Sequence, residues 1–149
     1  MLFRSNNCTF DSNYAQVNGG AVDWYHGASN GLVNDSIFIN NIADRSGGAI
    51  FWSGHDGNIT NSVFTNNSAR GNVAANDSYG NITHGGNGGA VMWVGPRGNA
   101  INCIFENNTA AKHGGGVYLQ GGSRNGDCNN TTFANCKFTN NTEIGRAHV

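Results

Sequence analysis

The chain has 149 residues, with 23 Gly, 26 Asn, one Pro and only 11% charged residues. That length suits one domain of ordinary size, but Asn and Gly are poor helix residues, so the composition argues against an ordinary helical or α/β domain. The net charge is −1 and the eight basic residues are scattered, which argues against nucleic acid, whose binding needs clustered Lys and Arg.

In chain order, the first apolar stretch is CTFDSNYA at 8–15, followed by GGAVDW at 19–24. The pair then recurs, as SIFINNIA at 36–43 with GGAIFW at 47–52, and as SVFTNNSA at 62–69 with GGAVMW at 88–93. CIFENNTA at 103–110 is followed by GGGVYL at 114–119, and CKFTNNTE stands at 136–143. The first motif aligns on Phe10, Phe38, Phe64, Phe105 and Phe138, with Asn13, Asn41, Asn67, Asn108 and Asn141 three residues later. The Phe spacings are 28, 26, 41 and 33. The spacing of 41 contains 15 extra residues, 70–84, which read as an insertion loop on a unit of about 26. Periods of roughly 20–50 residues signal solenoids, propellers or arrays.

The apolar runs are short, rich in Val, Ile, Phe and Trp, and bounded by Gly and Asn, which is strand punctuation. A propeller blade needs about 40–45 residues, so 26 is too few. The expected fold is all-β, a single-stranded parallel β-helix with two or three short strands per coil. Coils then stack at about 4.8 Å, and equivalent residues form ladders. Val22, Ile50, Val91 and Val117 share a face with Trp24, Trp52, Trp93 and Leu119 by the period of two, and this uniformly apolar set is placed inside. The Phe ladder is placed inside with the small residues two positions earlier: Cys8, Ser36, Ser62, Cys103 and Cys136. The aligned Asn is expected at a turn, in left-handed geometry and bonded locally to the chain, with its amides also able to bond one another along the axis. Asp23, Phe51, Met92 and Tyr118 fall outside, and Phe51, Met92 and Tyr118 form an apolar outer stripe. That stripe is the candidate binding surface, facing a sugar, a partner protein or a covering loop.

Chemistry is sparse. Cys103 and Cys136, in one slot of neighbouring coils, read either as buried thiols or as a disulfide pair; Cys128 has no evident partner. His26, His55, His84, His113 and His148 show no metal-ligand spacing, and no cofactor is expected. Asp11 and Glu106 share a slot but sit several coils apart, unlike a glycosidase pair. No catalytic residue is assigned and no enzyme activity is expected. Asn-X-Ser/Thr occurs ten times, at Asn7, Asn34, Asn58, Asn66, Asn76, Asn81, Asn107, Asn129, Asn130 and Asn140. Such sequons fit an extracellular address.

No apolar run approaches the roughly 20 residues of a membrane-crossing helix, and the opening MLFRSNN is too short for a signal peptide. No capping repeat is evident, so the chain reads as a middle section, with Met1 an internal Met. Residues 1–142 carry the repeat pattern, and 143–149 read as foreign. Glu143 stands where Ala15, Ala43, Ala69 and Ala110 stand in the other units. One codon choice for EIGRAHV, GAG ATC GGA AGA GCA CAC GTC, matches a common short-read sequencing adapter from its second base. A longer clone is expected to read Ala at 143 and to continue the repeats.

GGAI at 47–50 with FINN at 38–41 resembles the paired GGA[ILV] and FxxN motifs of polymorphic outer-membrane proteins. NSVFTNNSA with GGAVMW is similar to the adhesin-like surface proteins of methanogenic archaea. The resemblance covers residues 1–142. It implies a right-handed β-helix on a secreted or surface-bound stalk, at the cell wall or outer membrane, contacting host or microbial glycans or proteins. The reading is a fragment of a cell-surface adhesin that displays loops and outer ladders. Its alternatives are a β-helix carbohydrate-active enzyme (lyase or glycosidase) and an inert spacer.

Overall fold

The computed structural model describes residues 4–25, 28–72, 74–76, 82–120, 128 and 130–145. His26, His148, Asn81, Asn129, the side chains of Asn76 and His84, and the middle of the 70–84 insertion lie outside the described residues.

Successive units lie directly over one another, as the repeat demands. The described residues form four parallel sheets, so each full coil contributes four short strands rather than the two or three expected. The first sheet holds Arg4–Asn6, Leu32–Asn34, Asn58–Thr60, Asn99–Ile101 and Thr132–Ala134. The second holds Thr9–Asp11, Ile37–Ile39, Val63–Thr65, Ile104–Glu106 and Lys137–Thr139. Two-residue strands make the third: Tyr14–Ala15, Ile42–Ala43, Ser68–Ala69, Thr109–Ala110 and Thr142–Glu143. Thr142–Glu143 pairs with Thr109–Ala110, so Glu143 occupies the aligned Ala slot, where it is exposed. The GGA boxes lead into the fourth: Val22–Trp24, Ile50–Trp52, Val91–Trp93 and Val117–Leu119. Within the insertion, Ala74–Asn76 and Ile82–His84 pair as an antiparallel hairpin.

The register matches like with like. Phe10 pairs with Phe38, Phe38 with Phe64, Phe64 with Phe105 and Phe105 with Phe138. Their rings stack at centroid distances of 4.5, 4.7, 4.9 and 4.8 Å. Trp24, Trp52 and Trp93 stack at 4.7 and 5.1 Å. Phe38, Phe64, Phe105, Trp52 and Trp93 are fully buried. Burying each such side chain is worth roughly 1.5–3 kcal/mol, and each aromatic pair about 0.5–1.5 kcal/mol more. Toward the last coil the shielding falls away, and Phe138 and Leu119 are exposed.

A third inner ladder went unread in the sequence: Ser5, Val33, Ile59, Ala100 and Phe133 on the first sheet. Its signal was present, because each member stands three residues before the Cys or Ser of the next slot. That is the same spacing that separates Phe from the aligned Asn.

The aligned Asn is not the left-handed residue. That role belongs to the residue before it: Ser12, Asn40, Asn66, Asn107 and Asn140, with φ of 56, 56, 56, 54 and 50°. A second corner puts Asn7, Asp35, Asn61, Asn102 and Asn135 in the same region, with φ of 53, 47, 50, 55 and 52°. The turn residue points outward, which frees the aligned Asn to point in. There it forms an amide row. The Oδ1 of Asn67 accepts from the backbone N–H and the Nδ2 of Asn41, at 3.0 and 2.9 Å. Its own Nδ2 donates to Asn108 Oδ1 at 2.9 Å and to the Phe38 carbonyl at 3.0 Å. Both acceptor and both donor sites of the carboxamide are thereby used. Asn41 repeats the pattern, and Asn108 does so toward Asn141 and Phe64. The donation to the Phe carbonyl one coil earlier explains why Phe and Asn keep a fixed spacing of three.

The GG pair has two separate reasons. Gly47 has φ of 68°, a left-handed conformation that Gly adopts without strain. A Cβ on Gly48 would lie 2.0 Å from the Gly89 carbonyl oxygen, so the coils approach too closely there for any side chain. Corners also carry charge: Arg97 grips Asp56 with both Nε and Nη2, at 2.6 and 2.9 Å, and holds that carboxyl below its ordinary range.

Cys8, Cys103 and Cys136 are free thiols. The Ser and Cys slot closes the inside corner: Ser36 and Ser62 hydroxyls donate to the Asn34 and Thr60 carbonyls at 2.8 and 2.7 Å. Cys103 is fully buried, and burial pushes its thiol up to about 11.

Replacing Asn67 with Ala strands the backbone N–H and one Nδ2 donor of Asn41 and removes the side-chain donor to the Phe38 carbonyl. Each buried orphan costs about 1–3 kcal/mol, so urea unfolding of Asn67→Ala is expected to show a loss of about 3 kcal/mol or more. Asn66→Gly, one residue away but exposed and left-handed, is expected to stay within a few tenths of a kcal/mol. In alkylation at pH 8, only about one Cys103 in a thousand is thiolate. Mass spectrometry after iodoacetamide is expected to find Cys103 unmodified in the native chain and modified in urea.

Candidate functional site

The outer face of the fourth sheet follows from strand alternation. With Trp and Val or Ile turned in, the residue between them turns out. Asp23, Phe51, Met92 and Tyr118 are therefore in register, one per coil. Asp23 is exposed, Phe51 and Tyr118 are half-buried, and Met92 is buried. The expected stripe is thus a recessed floor rather than an open surface.

What recesses it is the corner that precedes each GGA box. Parallel bridges join Asn18 to Ser46 and Asn87 to His113. The Gly47 N–H donates to the Asn87 carbonyl at 2.9 Å, which joins the two pairs into one row. One position earlier stand Arg45, Gly86 and Lys112, also stacked: Gly86 N–H donates to the Arg45 carbonyl, and Lys112 N–H to the Gly86 carbonyl at 2.8 Å. Floor and corner enclose a groove of about 350 Å³, lined by Phe51, Met92 and Tyr118 and by Asn18, Arg45, Ser46, Gly85, Asn87, Lys112, His113 and Gln120. That volume lies within the roughly 300–1,000 Å³ of small-ligand sites. The His113 ring stacks on Tyr118 at 5.5 Å, and His113 Nδ1 lies 3.8 Å from the Glu143 carboxylate. Partial burial raises the Asp23 carboxyl above its ordinary range.

The groove offers apolar and aromatic surface, side-chain amides, a hydroxyl and basic groups. Sequence reasoning found its floor but not its wall. Asn18, Ser46, Asn87 and His113 share the slot immediately before the Gly pair, and that slot was the available signal. A second apolar row, Ile37, Val63 and Ile104, lies on the outer face of the second sheet, without a comparable corner beside it.

Asp11 and Glu106 are ends of the row Asp11, Ile39, Thr65, Glu106. Three coil rises separate them by about 14 Å, beyond the roughly 5–9.5 Å of a glycosidase pair. Among the described residues, no group of three His, Cys, Asp or Glu side chains is placed to hold a metal ion. Nor is any helix there long and apolar enough to cross a membrane. The Cys128 thiol donates to the Trp93 and Gln120 carbonyls, at 3.1 Å each, and so has partners that its sequence position did not suggest.

Stacked coils, inward Asn and Phe ladders and GG corners define a parallel β-helix solenoid built from one repeated unit. Residues 7–23, 35–51 and 102–120 each match the Chlamydia polymorphic membrane protein (Chlamydia_PMP) repeat, so three segments of the chain are similar to that repeat. Each match begins at the left-handed corner residue before the second sheet and runs at least to the outward residue of the fourth. The family suggests a cell-surface, outer-membrane protein. No curated protein and no solved structure matches the chain.

Proposed function

We propose that this chain is a stalk segment of a cell-surface adhesin that binds surface glycans through the groove on its fourth sheet. The observation that carries the reading is the juxtaposition of Phe51, Met92 and Tyr118 with the Asn18, Ser46, Asn87 and His113 row along one groove. Sugar rings present C–H faces that pack on aromatic side chains and hydroxyls that pair with amides. A groove with both groups in register along the rod axis suits an extended glycan. The repeat family supports a surface location, and a β-helix supports the role mechanically: a rigid stack holds its outer face away from the cell. The chemistry asked of the chain is recognition, and no residue is assigned a catalytic role.

Binding on a glycan array is expected to fall by at least about tenfold, equal to about 1.4 kcal/mol, when Phe51 and Tyr118 are both changed to Ala. Both residues are half-buried on an outer face, so the variant is expected to keep the wild-type circular dichroism. Unchanged binding would remove the groove from the attachment site.

A further inference from the structure

The groove is a straight track with a period. Each of its coils supplies one floor residue and, five positions earlier, one wall residue: Phe51 with Ser46, Met92 with Asn87, and Tyr118 with His113. The floor residues are strand partners, Phe51 to Met92 and Met92 to Tyr118, so they lie in one line along the rod axis. Met92 is buried, and the aromatic residues on either side of it are half-buried. Accessible aromatic surface therefore occurs on alternate coils, two coil rises or about 10 Å apart. Beside Phe51 the line passes to Asp23, so the apolar floor among the described residues is three coils long.

Resting on the glycan-binding reading above, we propose that the groove selects an unbranched chain of β(1→4)-linked pyranoses with equatorial hydroxyls. Equatorial linkages make such a chain straight, and each ring advances it by roughly 5 Å, close to one coil rise. Successive rings are also turned over relative to one another, so the chain repeats every second ring, as the floor does. Alternate rings lay a C–H face on Phe51 and on Tyr118, and the ring between them spans Met92. Equatorial hydroxyls stand at the ring edges, toward the wall, where Ser46, Asn87 and His113 each meet one ring. An α(1→4) chain curls and a β(1→3) chain winds, so neither keeps its rings in step with a line of coils. Selection is by pitch: the stacked coils set the spacing, and only a ligand of the same spacing reaches both aromatic residues. A rigid floor matched to a stiff chain also limits the ordering cost of binding.

The test titrates the full chain, by calorimetry, with three glucose hexaoses that differ only in linkage: β(1→4), α(1→4) and β(1→3). The β(1→4) hexaose is expected to bind at least about tenfold tighter than either of the others. In a β(1→4) length series, affinity is expected to step up about tenfold between two rings and three, because the third ring reaches the second aromatic residue. Tyr118→Ala should erase that step, and Tyr118→Phe should keep it. Because the His113 ring stacks on Tyr118, loss of the wild-type circular dichroism in Tyr118→Ala would shift the decision to Phe51→Ala, which should erase the same step. Equal or tighter binding of either other hexaose overturns the linkage assignment and leaves the glycan-binding reading intact. A smooth rise with length, without a step, overturns the two-coil spacing. Failure of all three hexaoses overturns the proposal, and only an empty glycan array alongside it overturns the underlying reading as well.

Discussion

The structure depends on a row of buried carboxamides. Asn41, Asn67 and Asn108 are fully buried polar side chains, tolerable only because each finds two donors and two acceptors in the adjoining coils. An unpaired amide in that position would cost more than its burial gains. Slipping one coil by a residue would break the row and turn the Phe ladder toward water. The Asn row therefore sets the register between coils, and the aromatic stacks fill the interior beside Val33, Ile50, Ile59 and Val91 once the register is set.

Strict register has a consequence for the outside. Whatever occupies an outer slot is repeated along the axis at the strand spacing, so function on this fold is written as rows. Three inner slots in this chain are narrowly filled: Phe at one, Asn at another, Trp or Leu at a third. Outer slots vary freely, as Asp23, Phe51, Met92 and Tyr118 do on one strand position. The rod supplies a fixed grid, and the groove arises where an apolar row and a polar row meet at the corner before the Gly pair. Chain insertions are accommodated at corners for the same reason. Within the extra 15 residues at 70–84, Ala74–Asn76 pairs antiparallel with Ile82–His84, and Ser68 still pairs with Thr109 across the insertion.

The glycines show how tightly the grid is drawn. Gly57 and Gly98 lie against the Trp52 and Trp93 indoles, where a Cβ would come within 2.3 and 2.1 Å of ring carbons. The Trp ladder and these glycines thus form one packing unit, although the residues are not adjacent in the chain. A large side chain inside a narrow coil needs an absent one beside it. This pairing also explains how three indoles fit where the neighbouring corner is lined by Ser and Cys.

By itself the sequence determined the β-helix, the Phe and Trp ladders and the outward slot of Phe51, Met92 and Tyr118, and it found the Asn row while placing that residue at the left-handed turn. It could do so because those features repeat, and stacking turns a repeat directly into contacts. It did not determine which of the two adjacent residues takes the left-handed turn, since four of the five units write both positions as Asn and only backbone geometry separates Asn66 from Asn67. Nor did it reveal the strand that each coil gives to the first sheet, whose ladder runs Ser5, Val33, Ile59, Ala100 and Phe133 and shares no letter. The groove wall was decided by tertiary structure. Arg45, Gly86 and Lys112 share a slot two residues before the Gly pair, but a glycine between two basic residues gives no repeat to read, and only the stacking of three coils places them side by side above one floor.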